Sequence, residues 1–283
     1  MRVIRTVAEM QEIRRCISGS VGLVATLGGI HRGHTRHLQV LRPQCDVLIG
    51  SLFLNPTQFV ENEDFFDYPR DEAFDIANFD DNGSDFVFVP SVEEIYPTNG
   101  NPIPLIDPGP IGKLLEGIHR PGHFEGVATV VTRLFSIISP DKATFGEKDA
   151  QQLRIIQHIN KSLKLGVEII PIPTVRELDG LAISSRNAYL SPIERKAAPV
   201  LFRALTAVKL MWDSGERSGD ALRFKLKSVL LDESLAHTEY VAIVDADTFQ
   251  ELNHFVGSAR ALLAVNIGRA RFCLLYTSPS PRD

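Results

Sequence analysis

The feature that most constrains this chain is a series of short apolar runs, each separated from the next by a longer stretch with helical periodicity. The runs lie at 21–27, 46–54, 85–89, 142–146 and 167–173. Their apolar character is nearly continuous rather than alternating, which is typical of parallel strands covered by helices on both faces. The alternation therefore predicts an α/β fold with a Rossmann-like, doubly wound parallel sheet.

The stretches between the runs differ in regularity. Apolar residues recur at helical spacing in 124–138 and 150–163, so we expect two helices that pack on the sheet. The stretch 96–122 instead contains six Pro and five Gly, too many for regular structure. We predict a long crossing loop there, and this loop is a candidate lid.

A change of pattern near residue 176 indicates a domain boundary. The segment after it is rich in turns, then becomes helical from about 193, and short strands are expected at 239–244 and 260–266. We predict a Rossmann-like nucleotide- and substrate-binding domain over 1–175 and a smaller C-terminal α+β domain over 176–283. The tail 274–283 has no periodicity and reads as non-native sequence, so it is left out of the fold prediction.

Composition excludes several classes of protein. The 283 residues carry a formal net charge of −5, which argues against a surface built to coat nucleic acid or anionic lipid. The apolar runs are shorter than the roughly 18 residues that a membrane-spanning helix needs. With three scattered cysteines and no signal-like N-terminus, we expect a cytoplasmic protein without nucleic-acid or membrane partners.

The first candidate motif is TLGGIHRGHTRHL at 26–38, where the first long strand gives way to a helix. Gly28 and Gly29 permit a tight turn, and His31 and His34 lie three apart on the emerging helix. A helix N-terminus with two imidazoles suits phosphate oxygens, which suggests a nucleotide. Two other interpretations remain: a plain turn with surface histidines, or a metal site that includes His37. For a metal, the sequence offers no further ligands in a recognised pattern.

The second motif is LNPTQF at 54–59, at the end of the next strand. Asn55 and Gln58 are polar groups in an apolar setting and are candidate substrate-binding residues. An Asx turn would also explain Asn55, but it explains Gln58 less well.

The third and fourth motifs add cations. In FGEKDAQQL at 145–153, Lys148 is suited to an anionic phosphate, whereas Glu147 with Asp149 is either an acid–base pair or a solvated turn. In ISSRN at 183–187, two hydroxyls and Arg186 form a compact set of phosphate donors. Each of these two motifs alone is weak evidence for a phosphate site, and the evidence is stronger because the four motifs occur together.

Taken together, these motifs resemble the pantoate-β-alanine ligase family of the HxGH nucleotidyltransferase superfamily, which also includes class I aminoacyl-tRNA synthetases. The resemblance runs from about residue 1 to 270 and is strongest over 119–195, where separated segments agree in order and spacing. It implies the condensation of pantoate with β-alanine at the expense of ATP, with Mg²⁺ and a pantoyl adenylate intermediate. A homodimer is likewise implied only by the resemblance.

The resemblance also assigns roles by position. His34 would be the superfamily histidine and proton donor, with His31 as its partner, and both would act with Lys148 and Arg186 on the phosphates. Gln58 and Gln152 would bind pantoate, and Gln58 would also border the β-alanine site; Asn55 is a further substrate-binding candidate. The predicted ATP contacts are Leu27, Gly28, Gly29, Ile30, His31, Arg32, Gly33, His34, Gly146, Glu147, Lys148, Asp149, Val175, Ile183, Ser184, Ser185 and Arg186. No protein ligand for a metal and no base for the β-alanine step is predicted.

The chain departs from the family pattern at three apolar positions and at its end. Ala25 stands where a Pro is usual, and Leu27 and Ile183 each stand where a Met is usual. Because these replacements stay apolar, we expect altered affinity rather than lost chemistry. After Gly268 the sequence no longer follows the family. Two alternatives stay open: another HxGH nucleotidyltransferase, or a nucleotide-binding protein without catalytic activity.

Overall fold

The computed structural model describes residues 1–61, 63–98 and 103–277, with only the backbone described for 273–277. The chain forms two compact units. One comprises Met1–Glu147 and Gln151–Pro173, and the other comprises Lys148–Ala150 and Thr174–Asp283.

The first unit is built on a six-stranded parallel sheet, as the alternating runs predict. Its strands are β1 Arg2–Ile4, β2 Val21–Thr26, β3 Val47–Leu52, β4 Phe86–Phe88, β5 Lys142–Gly146 and β6 Glu168–Ile172. Their order is β1-β4-β3-β2-β5-β6, and every pairing is parallel. The predicted Rossmann-like class is confirmed. The sequence patterns missed β1, since three residues are too few to show a period.

Helices cover both faces of this sheet. They are α1 Val7–Cys16, α2 Arg32–Leu41, α3 Glu72–Asp81, α4 Val92–Ile95, α5 Glu116–His119, α6 His123–Ile138 and α7 Ala150–Ser162. Adjacent strand residues enter different cores: Leu23 packs with α6, whereas Val24 packs with Leu38 of α2 and Phe79 of α3. This alternation puts one apolar cluster on each face. The predicted helices at 124–138 and 150–163 are α6 and α7.

The proline-rich stretch is more regular than its composition suggests. Among its described residues, Pro110–Lys113 form a 3₁₀ turn and Glu116–His119 form α5, so the prediction of no regular structure over 96–122 is wrong there. The buried Gln151 side chain explains the order. Its amide nitrogen donates to the carbonyls of Ile111 (2.9 Å) and Leu114 (2.7 Å), and its oxygen accepts from the Glu116 amide at 3.3 Å. Residues 99–102 lie outside the described residues.

The second unit contains an antiparallel sheet and three helices. The strands are β7 His237–Asp245, β8 Ala259–Ile267 and β9 Ala270–Thr277, and the helices are α8 Pro192–Ala197, α9 Val200–Asp213 and α10 Gly219–Leu231. Its core includes Leu201, Leu205, Leu226 and Leu263. The prediction that 274–283 lie outside the fold is wrong in part, because 274–277 pair with β8. Residues 278–283 lie outside the described residues. Among the described helices, none has the length and apolar character to cross a membrane.

Candidate active site

Three of the candidate motifs lie at one edge of the first unit's sheet. Leu27 follows β2, Asn55 lies just after β3, and Glu147 follows β5. These strands are neighbours and parallel, so their carboxyl ends share an edge. From β2 the chain goes to β3 on one side and later returns to β5 on the other. This reversal makes the crevice between β2 and β5 the topological switch point, where open α/β sheets bind ligands.

The turn after β2 is held by a buried carboxylate from another helix. Gly28 and Gly29 adopt positive φ angles of 105° and 65°, which glycine reaches without strain. The backbone amides of Gly29 and Ile30 then donate to Asp75 of α3, at 2.9 and 2.7 Å. Asp75 is fully buried. It therefore fixes the path of the chain into His31.

Sequence reasoning missed Asp75, and no local signal would have found it. In DEAFDIANFDD it is one of several acidic residues on a helix, and its partners lie 45 and 46 positions earlier. Only the packing of α3 beside the turn singles it out.

Replacement of Asp75 by Asn is expected to destabilise the protein. The carboxylate presents two acceptors to two backbone N–H groups, whereas an amide presents one acceptor and one donor, so one of the two hydrogen bonds is lost. The free energy of unfolding should fall by about 1 to 3 kcal/mol, as measured by urea denaturation. The matched control is Asp81→Asn, at an exposed position of the same helix. Equal unfolding midpoints for the two variants would contradict the role of Asp75.

Two histidines cap the N-terminus of α2 with their own rings. Nδ1 of His31 accepts from the Gly33 amide at 3.1 Å, and Nδ1 of His34 accepts from the His31 amide at 3.4 Å. The rings stack, with centroids 3.9 Å apart and planes inclined by 14°. Because each Nδ1 accepts a hydrogen bond, each neutral ring carries its proton on Nε2. The motif therefore presents Nε2–H donors at a helix N-terminus.

Gly33 makes this arrangement sterically feasible. A Cβ at position 33 would lie 2.8 Å from Cε1 of the His31 ring. A side chain at position 33 would therefore collide with the His31 ring, which explains the glycine between the two histidines. The third histidine of the segment, His37, has a different partner: its Nδ1 lies 3.1 Å from Thr144 Oγ1 on β5. Across the described residues, no three His, Cys, Asp or Glu side chains are grouped as a metal site.

Asn55 is the centre of a buried hydrogen-bond network. Its Oδ1 accepts from the Thr57 amide (3.3 Å), from Thr57 Oγ1 (2.9 Å) and from the Tyr96 hydroxyl (2.9 Å). Its Nδ2 donates to Gln58 Oε1 (3.1 Å) and to the Gly126 carbonyl (3.2 Å). Asn55 therefore forms the Asx turn and also binds the side chain of Gln58. The amide of Asn55 is directed at protein groups, and Tyr96 is a second residue that sequence reasoning missed.

The candidate glutamines differ from Asn55 in their partners. Gln58 accepts from Asn55 through Oε1, which leaves its Nε2 as the donor end of the amide. In the Gln151–Gln152 pair, Gln151 anchors the stretch 111–116, and Gln152 follows it on α7. Within the described part of the chain, the Gln152 side chain makes no hydrogen bond to protein.

Lys148, Asp149, Val175 and the predicted segment 183–186 belong to the second unit. Nζ of Lys148 lies 3.7 Å from Asp149 Oδ2, in the 3₁₀ turn Glu147–Asp149. Ser184 caps the 3₁₀ turn Ser185–Tyr189 by accepting from the Arg186 amide at 3.3 Å. The Ile183 amide donates to the Val175 carbonyl at 3.0 Å, which brings those two predicted ATP-contact residues together.

Comparison with known proteins places the chain in a family. A family model described as pantoate-beta-alanine ligase matches residues 2–273. The chain belongs to this family. Its members are ligases that form a C–N bond, so the expected enzyme class and the resemblance are both confirmed.

Individual relatives of the family agree over almost the whole chain. A pantothenate synthetase of Roseiflexus castenholzii is 49% identical, with 97% of this chain and 99% of the relative covered. The crystal structure of pantothenate synthetase from Thermus thermophilus has a TM-score of 0.92 at 41% identity, covering 98% of this chain and 99% of that one. A pantoate-beta-alanine ligase from Francisella tularensis, complexed with beta-gamma ATP and beta-alanine, has a TM-score of 0.80 at 31% identity, covering 98% and 97%.

Proposed function

We propose that the chain condenses pantoate with β-alanine to give pantothenate, with ATP converted to AMP and pyrophosphate through a pantoyl adenylate. The observation that carries the site assignment is the pair of stacked imidazoles at the N-terminus of α2, each with Nδ1 bound to backbone. Membership of the pantoate-beta-alanine ligase family supports the reaction, and the Francisella tularensis relative supports ATP and β-alanine as substrates.

The first step joins the pantoate carboxylate to the α-phosphorus of ATP. With a pKa of about 4, a carboxylate is already ionised at neutral pH and needs no base. A carboxylate oxygen forms the new P–O bond, the bond from the α-phosphorus to the bridging oxygen breaks, and pyrophosphate leaves with the electron pair. We assign stabilisation of this developing charge to His31, His34, Lys148 and Arg186.

Within this proposal, ATP is bound by the predicted segments 27–34, 146–149 and 183–186 together with Val175. Positive φ angles at Gly28 and Gly29 and the N-cap at His31 support the first segment. Pantoate is bound by Gln58 and Gln152, and Asn55 acts by directing the Gln58 amide.

The second step forms the amide. The neutral amine of β-alanine attacks the acyl carbon of the adenylate and forms the C–N bond. The acyl C–O bond breaks, AMP leaves with the former carboxylate oxygen and its electron pair, and the nitrogen releases a proton to solvent. The ammonium form must lose a proton first, and no residue is assigned as its base.

Three further elements of the proposal come from the family rather than from the site geometry. Mg²⁺ would enter with ATP, because it is commonly bound through substrate phosphates and few protein groups. The enzyme would act as a homodimer, and as a biosynthetic enzyme it would act in the cytoplasm.

Exchange of labelled pyrophosphate into ATP tests the reaction, in the presence and absence of pantoate. Exchange that requires pantoate, without β-alanine, is the expected result. Exchange supported by a different small acid or phosphate ester would identify another nucleotidyltransferase. ATP binding in calorimetry without any exchange or pantothenate formation would identify a protein without catalytic activity.

Replacement of Gln58 by Ala is expected to raise the pantoate KM of this exchange more than the ATP KM. The change removes the Nε2 donor that would bind pantoate and leaves the ATP-binding segments unchanged. A lost hydrogen bond corresponds to a rise of about 3- to 10-fold in the pantoate KM. Equal rises for both substrates would count against the assignment. Gln44→Ala is the matched control, since that side chain is exposed and caps a carbonyl of α2.

A further inference from the structure

A buried histidine contacts the backbone of Gln58. His123, the first residue of α6, is only 7% exposed. Its Nδ1 lies 2.6 Å from the Gln58 carbonyl oxygen, and its Nε2 lies 3.0 Å from Nη1 of Arg120. The sequence predicts no role in ATP or pantoate binding for His123 or Arg120.

The two contacts fix the tautomer of His123. A guanidinium has no acceptor, so Nε2 of His123 must accept from Arg120. The ring proton is then on Nδ1 and is donated to the Gln58 carbonyl. Burial, together with the nearby charge of Arg120, lowers the pKa of His123 to about 4, which keeps the ring neutral at physiological pH.

Arg120 is itself held by Glu63, whose carboxylate also binds the backbone just after Gln58. Its Nε and Nη2 donate to the two oxygens of Glu63, at 2.5 and 2.8 Å, and the two side chains are 14% and 18% exposed. Burial alone would raise the pKa of Glu63, but the hydrogen bond and charge of Arg120 hold it below its usual value. Glu63 Oε2 also accepts from the Val60 amide at 3.2 Å. The backbone is therefore held by hydrogen bonds at the Gln58 carbonyl and at the Val60 amide.

Close packing of α6 completes the support. A Cβ at Gly126 would lie 2.2 Å from the Thr57 carbonyl oxygen, so the helix backbone touches the 3₁₀ turn Pro56–Gln58 directly. The Gly126 carbonyl accepts from Asn55, which in turn directs the Gln58 side chain. The first turn of α6 therefore holds Gln58 in two ways. His123 binds its backbone carbonyl, and the Gly126 carbonyl binds Asn55, which directs its side chain.

We propose that His123, in its Nδ1–H form and held by the Arg120–Glu63 ion pair, is a positioning residue that places Gln58 for pantoate. The inference rests on the proposed function of Gln58. His123 does not contact the substrate in this proposal. His123 affects pantoate affinity only through the position of Gln58.

Two amide variants of His123 separate the ring's two nitrogens. Asn places its amide nitrogen where Nδ1 lies and keeps the donor to Gln58, whereas Gln places its amide near Nε2 and loses that donor. In pyrophosphate exchange we expect His123→Gln to raise the pantoate KM by about 5- to 10-fold, with the ATP KM within about twofold. His123→Asn should restore the pantoate KM to within about threefold of the wild-type value.

A double-mutant cycle decides whether the effect passes through Gln58. In a Gln58→Ala background, His123→Gln should cause no further rise in the pantoate KM. The same rise in both backgrounds, or equal rises for pantoate and ATP, would overturn the proposal. Glu63→Gln tests the same chain without altering the buried ring, and an unchanged pantoate KM in that variant would also overturn it. Wild-type enzyme lacking pantoate-dependent exchange would instead refute the proposed function.

Discussion

Replacing His34 with Ala is expected to lower the rate of pantoate-dependent pyrophosphate exchange by about 10²- to 10³-fold. The Nε2–H donor is lost from the position assigned to the leaving pyrophosphate, where negative charge grows in the transition state. Preorganised donors of this kind act mainly on kcat, so kcat should fall more than the apparent affinity for ATP. Circular dichroism and urea denaturation of the purified variant check that it folds.

The variants His34→Asn and His34→Gln separate catalysis from helix capping. Asn can accept from the His31 amide in place of Nδ1 but has no donor where Nε2 lies. Gln places an amide near Nε2. If the catalytic group is Nε2, the Asn variant is as inactive as the Ala variant and the Gln variant keeps more activity. Near-normal exchange by the Asn variant would reduce His34 to a capping residue. His237→Ala, at an exposed position of β7, is the control.

Replacing Lys148 with Ala is expected to cost a similar factor, at least about 10² in exchange rate. Lys148 lies in the turn that directly follows β5, and its ammonium is a mobile cation suited to phosphate oxygens. Because its ion-pair partner among the described residues is the neighbouring Asp149, its removal breaks a local contact, and little stability should be lost.

Two controls sharpen the Lys148 experiment. Lys161→Ala removes a cation from an exposed position of α7 and should leave exchange unchanged. Lys148→Arg keeps the charge on a longer, planar group and should retain part of the activity. A fully active, folded Lys148→Ala enzyme would exclude the assigned role.

Much of this architecture could be predicted because its signals are local. Continuous apolar runs mark β2, β3 and β5, and a candidate motif lies where each of these runs ends. In a parallel sheet that position alone puts the motifs at one edge. The alternation also predicted α6 and α7, whose apolar stripes repeat over several turns.

What could not be predicted depends on contacts between distant positions. In the sequence Asp75 is one of several acidic residues of α3, and only the position of α3 beside the turn at Gly29 singles it out. Tyr96 and Asn55 are 41 positions apart, and nothing in either neighbourhood indicates the pairing. The order of 110–119 likewise depends on Gln151, which looks interchangeable with Gln152 in the sequence.

The two close approaches at Gly33 and Gly126 limit how this enzyme can be made more heat-resistant. Both glycines lie inside helices, where exchange for alanine ordinarily gains up to about 1 kcal/mol of stability. Here an added methyl group would collide with the His31 ring or with the Thr57 carbonyl. Thermostable variants of the chain must therefore arise at other positions, and a library that enriches alanine in helices should exclude these two.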